Sequence, residues 1–213
     1  MTESAMGAPG LTLRTREGRP YRFDPGALCL ELLPTGGYAR YPAYEVLHTP
    51  ADLVRWAGES RLPDGLSLSV SAEELRRAHQ LRAALWNLTA ARAHGRPLAA
   101  ADLATVNATA AEPPLVPRID ADSGGLAWAP DATGGALLST VARDAVELFT
   151  GPYTDRIREC GSDSCKLLFV DTSRPGRRRW CAMEHCGNLH KVRAHRARHA
   201  TTDPSADRNP LWS

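Results

Sequence analysis

The chain has 213 residues, 43% of them hydrophobic and 23% charged, with a net charge of +2; this is a globular composition with material for a packed core, and it excludes a disordered chain. The first 18 residues carry no apolar run behind a basic start, and no stretch approaches the ~18 continuous apolar residues that a membrane span requires, so a soluble cytoplasmic protein with no membrane partner is expected. The net charge hides a split: residues 156–200 hold eleven Lys or Arg against four Asp or Glu, giving +7, while the other 15 basic and 20 acidic residues give −5, and a division of that size points to two parts with different partners.

Residues 1–20 are rich in Gly, Thr and Arg and read as a loose arm or an edge strand. The mostly apolar stretch Leu28-Cys-Leu-Glu-Leu-Leu33 is short and is followed by Pro34 and a glycine pair, which favours a strand, although periodicity alone does not exclude a helical turn. Thr49, Pro50 and Asp52 start a helix that runs to about Gly58, with a hydroxyl cap, a proline at the first position and an acid in the first turn. Ser71 and Glu74 form a capping box at the head of the longest helix, which extends to about His94 with Leu75, Ala78, Leu81, Leu85 and Leu88 as its stripe. Ala-rich residues 98–111 give another helix, and after Pro113, Pro114 and Pro117 the segments Leu115–Ile119 and Leu126–Ala129 can pair as strands. Leu137, Val141, Ala145 and Leu148 make one face of a further helix that ends near Gly151 and Pro152.

Five cysteines are present; Cys29 stands alone and the others cluster as Cys160, Cys165, Cys181 and Cys186. In a reducing compartment clustered cysteines are metal ligands more often than disulfides, and two equally spaced pairs can close a thiolate tetrahedron around one zinc. Four thiolates leave no open position, so the zinc is expected to be structural; His185 or His190 in place of one cysteine is the alternative set. Between the pairs, Lys166–Asp171 reads as a strand, Thr172–Gly176 as a turn and Arg177–Trp180 as the returning strand, which would bring Cys165 and Cys181 to one end of a hairpin. Cys186 then opens a final helix over about Leu189–Ala200. A unit this small has too little core to hold without a staple.

The expected fold is therefore α+β: an arm (1–20), a mainly helical amino-terminal domain (21–150), a linker (151–158), a small treble-clef-like zinc finger of knuckle, β-hairpin and helix (159–200), and a tail (201–213). The spacing of Cys160, Cys165, Phe169 and the Asp171-Thr172-Ser173 turn, followed by Arg178-Arg179-Trp180-Cys181, Met183 and Cys186-Gly187-Asn188, resembles the CGNR zinc finger over residues 158–199. Leu189 stands where that family usually has arginine. Upstream, Leu28 to Leu32, the Thr49-capped helix with Trp56 and the Ser71-capped helix resemble the ABATE domain, whose usual Leu-Asp-Phe-Val-Asn-Thr strand is replaced here by Leu30 to Thr35. The resemblance implies a stress-induced bacterial transcription regulator, a DNA-binding finger joined to a domain that senses a small-molecule effector.

At about 100° per residue, Lys191, His195 and Arg198 share one face of the final helix, with Leu189 and Val192 on the side toward the hairpin and Arg193 and Arg196 flanking them. Arg174, Arg177, Arg178 and Arg179 form a second basic cluster, and Asn188 lies at the helix start. A basic helix held by a metal suits the major groove of double-stranded DNA, where arginine can read guanine while phosphate attraction dominates affinity. A solvated basic helix without a partner is the bland alternative. RNA is less favoured because the finger lacks paired aromatics for stacking, and Trp180 beside a ligand reads as core. The leading reading is a regulator whose finger binds DNA and whose amino-terminal domain binds a ligand or a second subunit as a homodimer. Two others compete: a module that docks an acidic partner or its own acidic amino-terminal part, and a small-molecule binder with a deep pocket among Leu28–Leu33, Trp56 and the long helix. Cys29 reads as core; His48, His79 and His94 are scattered, and the glycine pairs lack a phosphate-loop context. With no nucleophile, base and orienter in recognisable arrangement, no enzyme is expected.

Overall fold

The computed structural model describes residues 10–15, 17–36 and 45–200, without the side chains of residues 194, 195 and 197–200. Among these the fold is α+β, with a helical body, a shared hairpin and a smaller lobe built on the clustered cysteines.

The body is made by α1 (Leu28–Glu31), α2 (Pro50–Glu59), α3 (Ala72–Ala93), α4 (Ala100–Ala110) and α5 (Gly134–Thr150). Asp52 caps α2 by accepting from the Thr49 N–H at 2.7 Å and the Thr49 hydroxyl at 2.9 Å. Ser71 Oγ accepts from the Glu74 N–H, and the Glu74 carboxylate accepts from the Ser71 N–H at 2.7 Å, closing the capping box that starts α3. Glu74 also accepts from Gly135 N–H at 2.7 Å, so one carboxylate fixes the starts of α3 and α5. The stripe Leu75, Ala78, Leu81, Leu85 and Leu88 is buried in one core with residues of α1, α2 and α5, as its period requires. β3 (Leu68–Ser69) and β6 (Ala132–Thr133) pair in parallel beside these helix starts. β4 (Pro117–Ile119) and β5 (Leu126–Trp128) pair antiparallel as expected, with Ile119 opposite Leu126.

The segment Leu28–Leu33 is not the expected strand. It forms α1 and then a 3-10 turn over Leu33–Thr35. Leu28, Cys29, Leu30, Leu32 and Leu33 are all buried, and no strand lies beside them among the described residues. A buried backbone without a strand partner must satisfy its own polar groups; here a helical turn does so, and Asp144 accepts from the Cys29 N–H at 2.7 Å. Trp56 Nε1 donates to the Glu31 carbonyl at 3.1 Å. Leu28–Leu33 and Trp56 thus fill the core rather than line a deep pocket.

Residues 151–158, expected as a linker, carry a 3-10 turn over Thr154–Arg156 and the start of β7 (Ile157–Glu159), which pairs antiparallel with β8 (Leu168–Val170). Alternation along a strand sends neighbours to opposite faces. Ile157, Leu168 and Val170 enter the helical core, whereas Phe169 enters the cysteine lobe. His94, at the end of α3, meets Glu159 at 3.1 Å on the same joint. Of the arm expected over 1–20, the described part is a strand: β1 (Leu11–Arg14) pairs antiparallel with β2 (Pro20–Phe23). Its apolar face, Leu13, Tyr21 and Phe23, packs on the cysteine lobe and not on the helical body.

Candidate metal centre and its basic surface

The turn joining β7 to β8 is the knuckle that carries Cys160 and Cys165. The Cys160 N–H donates to the Leu167 carbonyl and the Cys165 N–H to the Ser162 carbonyl, each at 2.9 Å. The expected pairing of Lys166–Asp171 with Arg177–Trp180 does not form; β8 takes β7 as its partner instead. Burying Ile157 beside Leu168 and Val170 in the helical core settles that choice. Arg177–Trp180 instead runs past the knuckle and meets it where the Gly161 N–H donates to the Arg179 carbonyl at 2.9 Å. This still delivers Cys181 to the knuckle, and its N–H donates to Cys160 Sγ at 3.4 Å. A π-helical segment, Met183–Gly187, carries Cys186 into α6 (Asn188–Ala200).

The sulfur atoms of Cys160, Cys165, Cys181 and Cys186 lie within 4.8 Å of one another. Cys165 and Cys181 are 3.7 Å apart, and Cys181 and Cys186 are 3.6 Å apart. Zinc–thiolate bonds of roughly 2.3 Å set tetrahedron edges of roughly 3.8 Å, so these separations fit one zinc. They are far from the ~2.05 Å of a disulfide, and all four thiols are free. Without a cation the set cannot ionise together. Hydrogen bonding to Cys160 holds the Cys165 thiol up at about 12 and also raises Cys181, and burial raises Cys186. Cys160 is lowered to about 2 because Cys165 and Cys181 both bond to it. One thiolate is thus held by its neighbours, whereas four need a divalent charge at their centre. With every ligand supplied by the chain, the zinc is structural.

His185 and His190 are not in the cluster. The His185 ring stacks on Tyr21 at 4.5 Å and the His190 ring meets Trp180 at 4.6 Å. Tyr21 comes from the amino-terminal hairpin, and burial followed by the nearby thiols raises its hydroxyl pKa. Arg22 of the same hairpin donates its N–H to the Glu184 carboxylate, and Phe23 is fully buried with Phe169 beside the cysteines. The chain's first strands therefore close one side of the centre. The alternation of Leu11, Leu13, Tyr21 and Phe23 about Gly18 was the available signal for the hairpin, but nothing in it names the surface it covers.

Arg178 is turned inward. Its guanidinium lies 4.2 Å from the Phe169 ring centroid, Nε donates to the Trp180 carbonyl at 3.0 Å, and Nη2 donates to the Cys181 carbonyl. Its N–H donates to Asp171 at 2.8 Å, and the other oxygen of that buried carboxylate accepts from the Ser173 N–H and hydroxyl. Arg174, Arg177 and Arg179 are exposed. On α6, Asn188, Lys191, Arg193 and Arg196 are exposed, while the side chains of His195 and Arg198 lie outside the described residues. Leu189 and Val192 do not pack toward the hairpin as expected: they are 42% and 47% exposed. The cysteine lobe already fills its core from Phe23, Phe169 and the β1–β2 face, and α6 meets it through His190 on Trp180 while Leu189 and Val192 stay exposed. Arg14, Arg19 and Arg22 on the amino-terminal hairpin add exposed positive charge to the lobe. None of the helices described is long and apolar enough to cross a membrane.

Two family models match the chain. One, ABATE, described as "Putative stress-induced transcription regulator", covers residues 26–152, and the other, the CGNR zinc finger, covers residues 156–199. The boundary between them falls just before the shared hairpin. No curated protein matches the chain.

Proposed function

The chain belongs to the ABATE family and carries a CGNR zinc finger, and from that premise we propose that it is a cytoplasmic transcription regulator whose zinc finger binds double-stranded DNA. The observation that carries this reading is α6: it leaves a metal-fixed base with its described side chains exposed, and its charged ones, Lys191, Arg193 and Arg196, are all basic. A helix so held can enter a major groove at a set angle, while Arg174, Arg177, Arg179 and the arginines of the β1–β2 hairpin attract the flanking phosphates. The ABATE domain is then the regulatory half, taking a small-molecule effector or a second copy of the chain, and the β7–β8 hairpin relays a change in the helical core to the finger. The test is binding of labelled duplex DNA by zinc-loaded protein. Lys191→Ala and Arg193→Ala each weaken binding about tenfold, corresponding to the ~1–3 kcal/mol of a base contact; if both bind as the parent does, α6 is not the probe.

The exposure of Met183, Leu189 and Val192 favours a second reading, in which α6 docks on an acidic protein that also covers these apolar side chains. A stoichiometric partner that binds α6 in the absence of any DNA affinity decides for that reading.

A further inference from the structure

Beside the knuckle the surface is concave. The pocket has a volume of about 260 Å³, below the roughly 300–1,000 Å³ of sites for drug-sized ligands. No aliphatic or aromatic residue is among the described residues that line it, which include Arg158 of β7, Gly161, Gly176, Arg177 and Arg179. A methyl group at Gly161 would sit 3.3 Å from both the Arg179 carbonyl and the Trp180 ring, and Gly176 has φ +62°, the left-handed region that favours glycine. Both positions keep the hollow open and the backbones close. The Arg178 guanidinium donates to the Trp180 and Cys181 carbonyls through Nε and Nη2. Glu159, the acidic residue at the rim, is already met by Lys166 at 2.8 Å and His94 at 3.1 Å.

Arg158 is held in place, with Nη1 donating to the Asp155 and Ile157 carbonyls at 2.6 and 2.9 Å, and the Arg179 guanidinium lies 5.4 Å from the Trp180 ring centroid. Arg158, Arg177 and Arg179 gather positive charge around this hollow, and the forked donors of a guanidinium match the oxygens of a phosphoryl group. We propose that this pocket is an anion site that seats a phosphoryl group, supplied by a nucleic-acid strand or by a small phosphorylated molecule. Where the phosphoryl group is a strand phosphate, the proposal rests on the DNA reading, in which Arg177 and Arg179 already meet flanking phosphates; it does not depend on α6 as the groove probe.

The test uses the zinc-loaded full chain and inorganic pyrophosphate, titrated calorimetrically in chloride buffer. Arg177 and Arg179 are exposed, so R177Q/R179Q should keep its fold and zinc, which metal content and melting check. Saturable binding of pyrophosphate that falls at least tenfold in R177Q/R179Q and persists in K191Q/R193Q supports the site. A second arm separates the sources. If R177Q/R179Q also binds every duplex sequence more weakly, with a salt slope shallower by about one to two, and pyrophosphate competes with DNA, the seat takes a strand phosphate. If DNA binding is unchanged in that variant, the ligand is a small phosphorylated molecule. Pyrophosphate binding with no DNA affinity in any form removes the DNA reading and leaves the pocket standing. No saturable pyrophosphate binding, or binding that R177Q/R179Q leaves within twofold, overturns the proposal.

Discussion

Replacing Arg178 should damage the finger, whereas replacing either neighbour should not. In Arg178→Ala the Trp180 and Cys181 carbonyls lose their charged donors, and the Phe169 ring loses a cation 4.2 Å from its centroid. Hydrogen bonds to a charged group contribute about 1.5–3 kcal/mol and a desolvated cation–π contact up to ~2 kcal/mol. Because Arg178 is only half-buried and these terms overlap, a loss of about 2–4 kcal/mol is expected. With a urea dependence of about 2–3 kcal/mol/M, the unfolding midpoint of the finger falls by about 1 M. Folding of so small a unit is coupled to its metal, so a chelator should strip zinc from the variant at about 30- to 700-fold lower free chelator, which is the same loss at ~1.4 kcal/mol per decade. Circular dichroism gives the midpoint, and a colorimetric chelator gives the zinc affinity. Arg178→Lys keeps the charge but loses the fork and the flat stack, so it falls between. The reasoning fails if Arg178→Ala lies within ~0.5 kcal/mol of Arg177→Ala and Arg179→Ala, both surface changes.

Other outcomes follow from the same contacts. Cys181→Ser removes the thiolate nearest two others, and zinc per chain measured by elemental analysis should drop from about one to well below it. Phe23→Ala empties a fully buried position beside Phe169; a cost of about 3–5 kcal/mol is expected, seen as faster zinc loss to a chelator, and unchanged zinc retention would mean that the amino-terminal hairpin does not brace the centre. The hydrogen bond from Arg55, followed by those from Thr49, lowers Asp52 to about 2 from its ordinary 3.8. Its contribution at the head of α2 is therefore present above about 3.8 and lost as pH falls toward about 2. A carboxyl carbon NMR titration should place its midpoint near 2, and Asp52→Asn should flatten that acid limb of stability.

Helices α2, α3 and α5 were legible because they announce themselves locally, by Thr49 and Asp52, by Ser71 and Glu74, and by stripes at steps of three and four residues, whereas α4 was legible from its alanine content alone. The zinc ligands were legible for a related reason, since four thiols at matched spacings leave few other chemistries. Leu28–Leu33 was not, because a six-residue run broken only by Glu31 is too short for its period to separate a strand from a helical turn. The partner of β8 was not legible either. Both Ile157–Glu159 and Arg177–Trp180 flank a ligand, and the choice rests on where Ile157 is buried, which is a property of α3 and the helical core. Among the three consecutive arginines, alternation of an extended segment turns Arg178 in and leaves Arg177 and Arg179 exposed. Composition showed a basic cluster but not which member turns in onto Phe169.

The central claim is that one zinc poses a basic helix for duplex DNA, and anisotropy of labelled genomic duplexes titrated with the full chain before and after chelation tests it most directly. Binding should be tight with zinc, weaken steeply as salt rises, vanish on chelation and return when zinc is restored. Equal affinity for DNA with and without the metal, or none in either state, would contradict it.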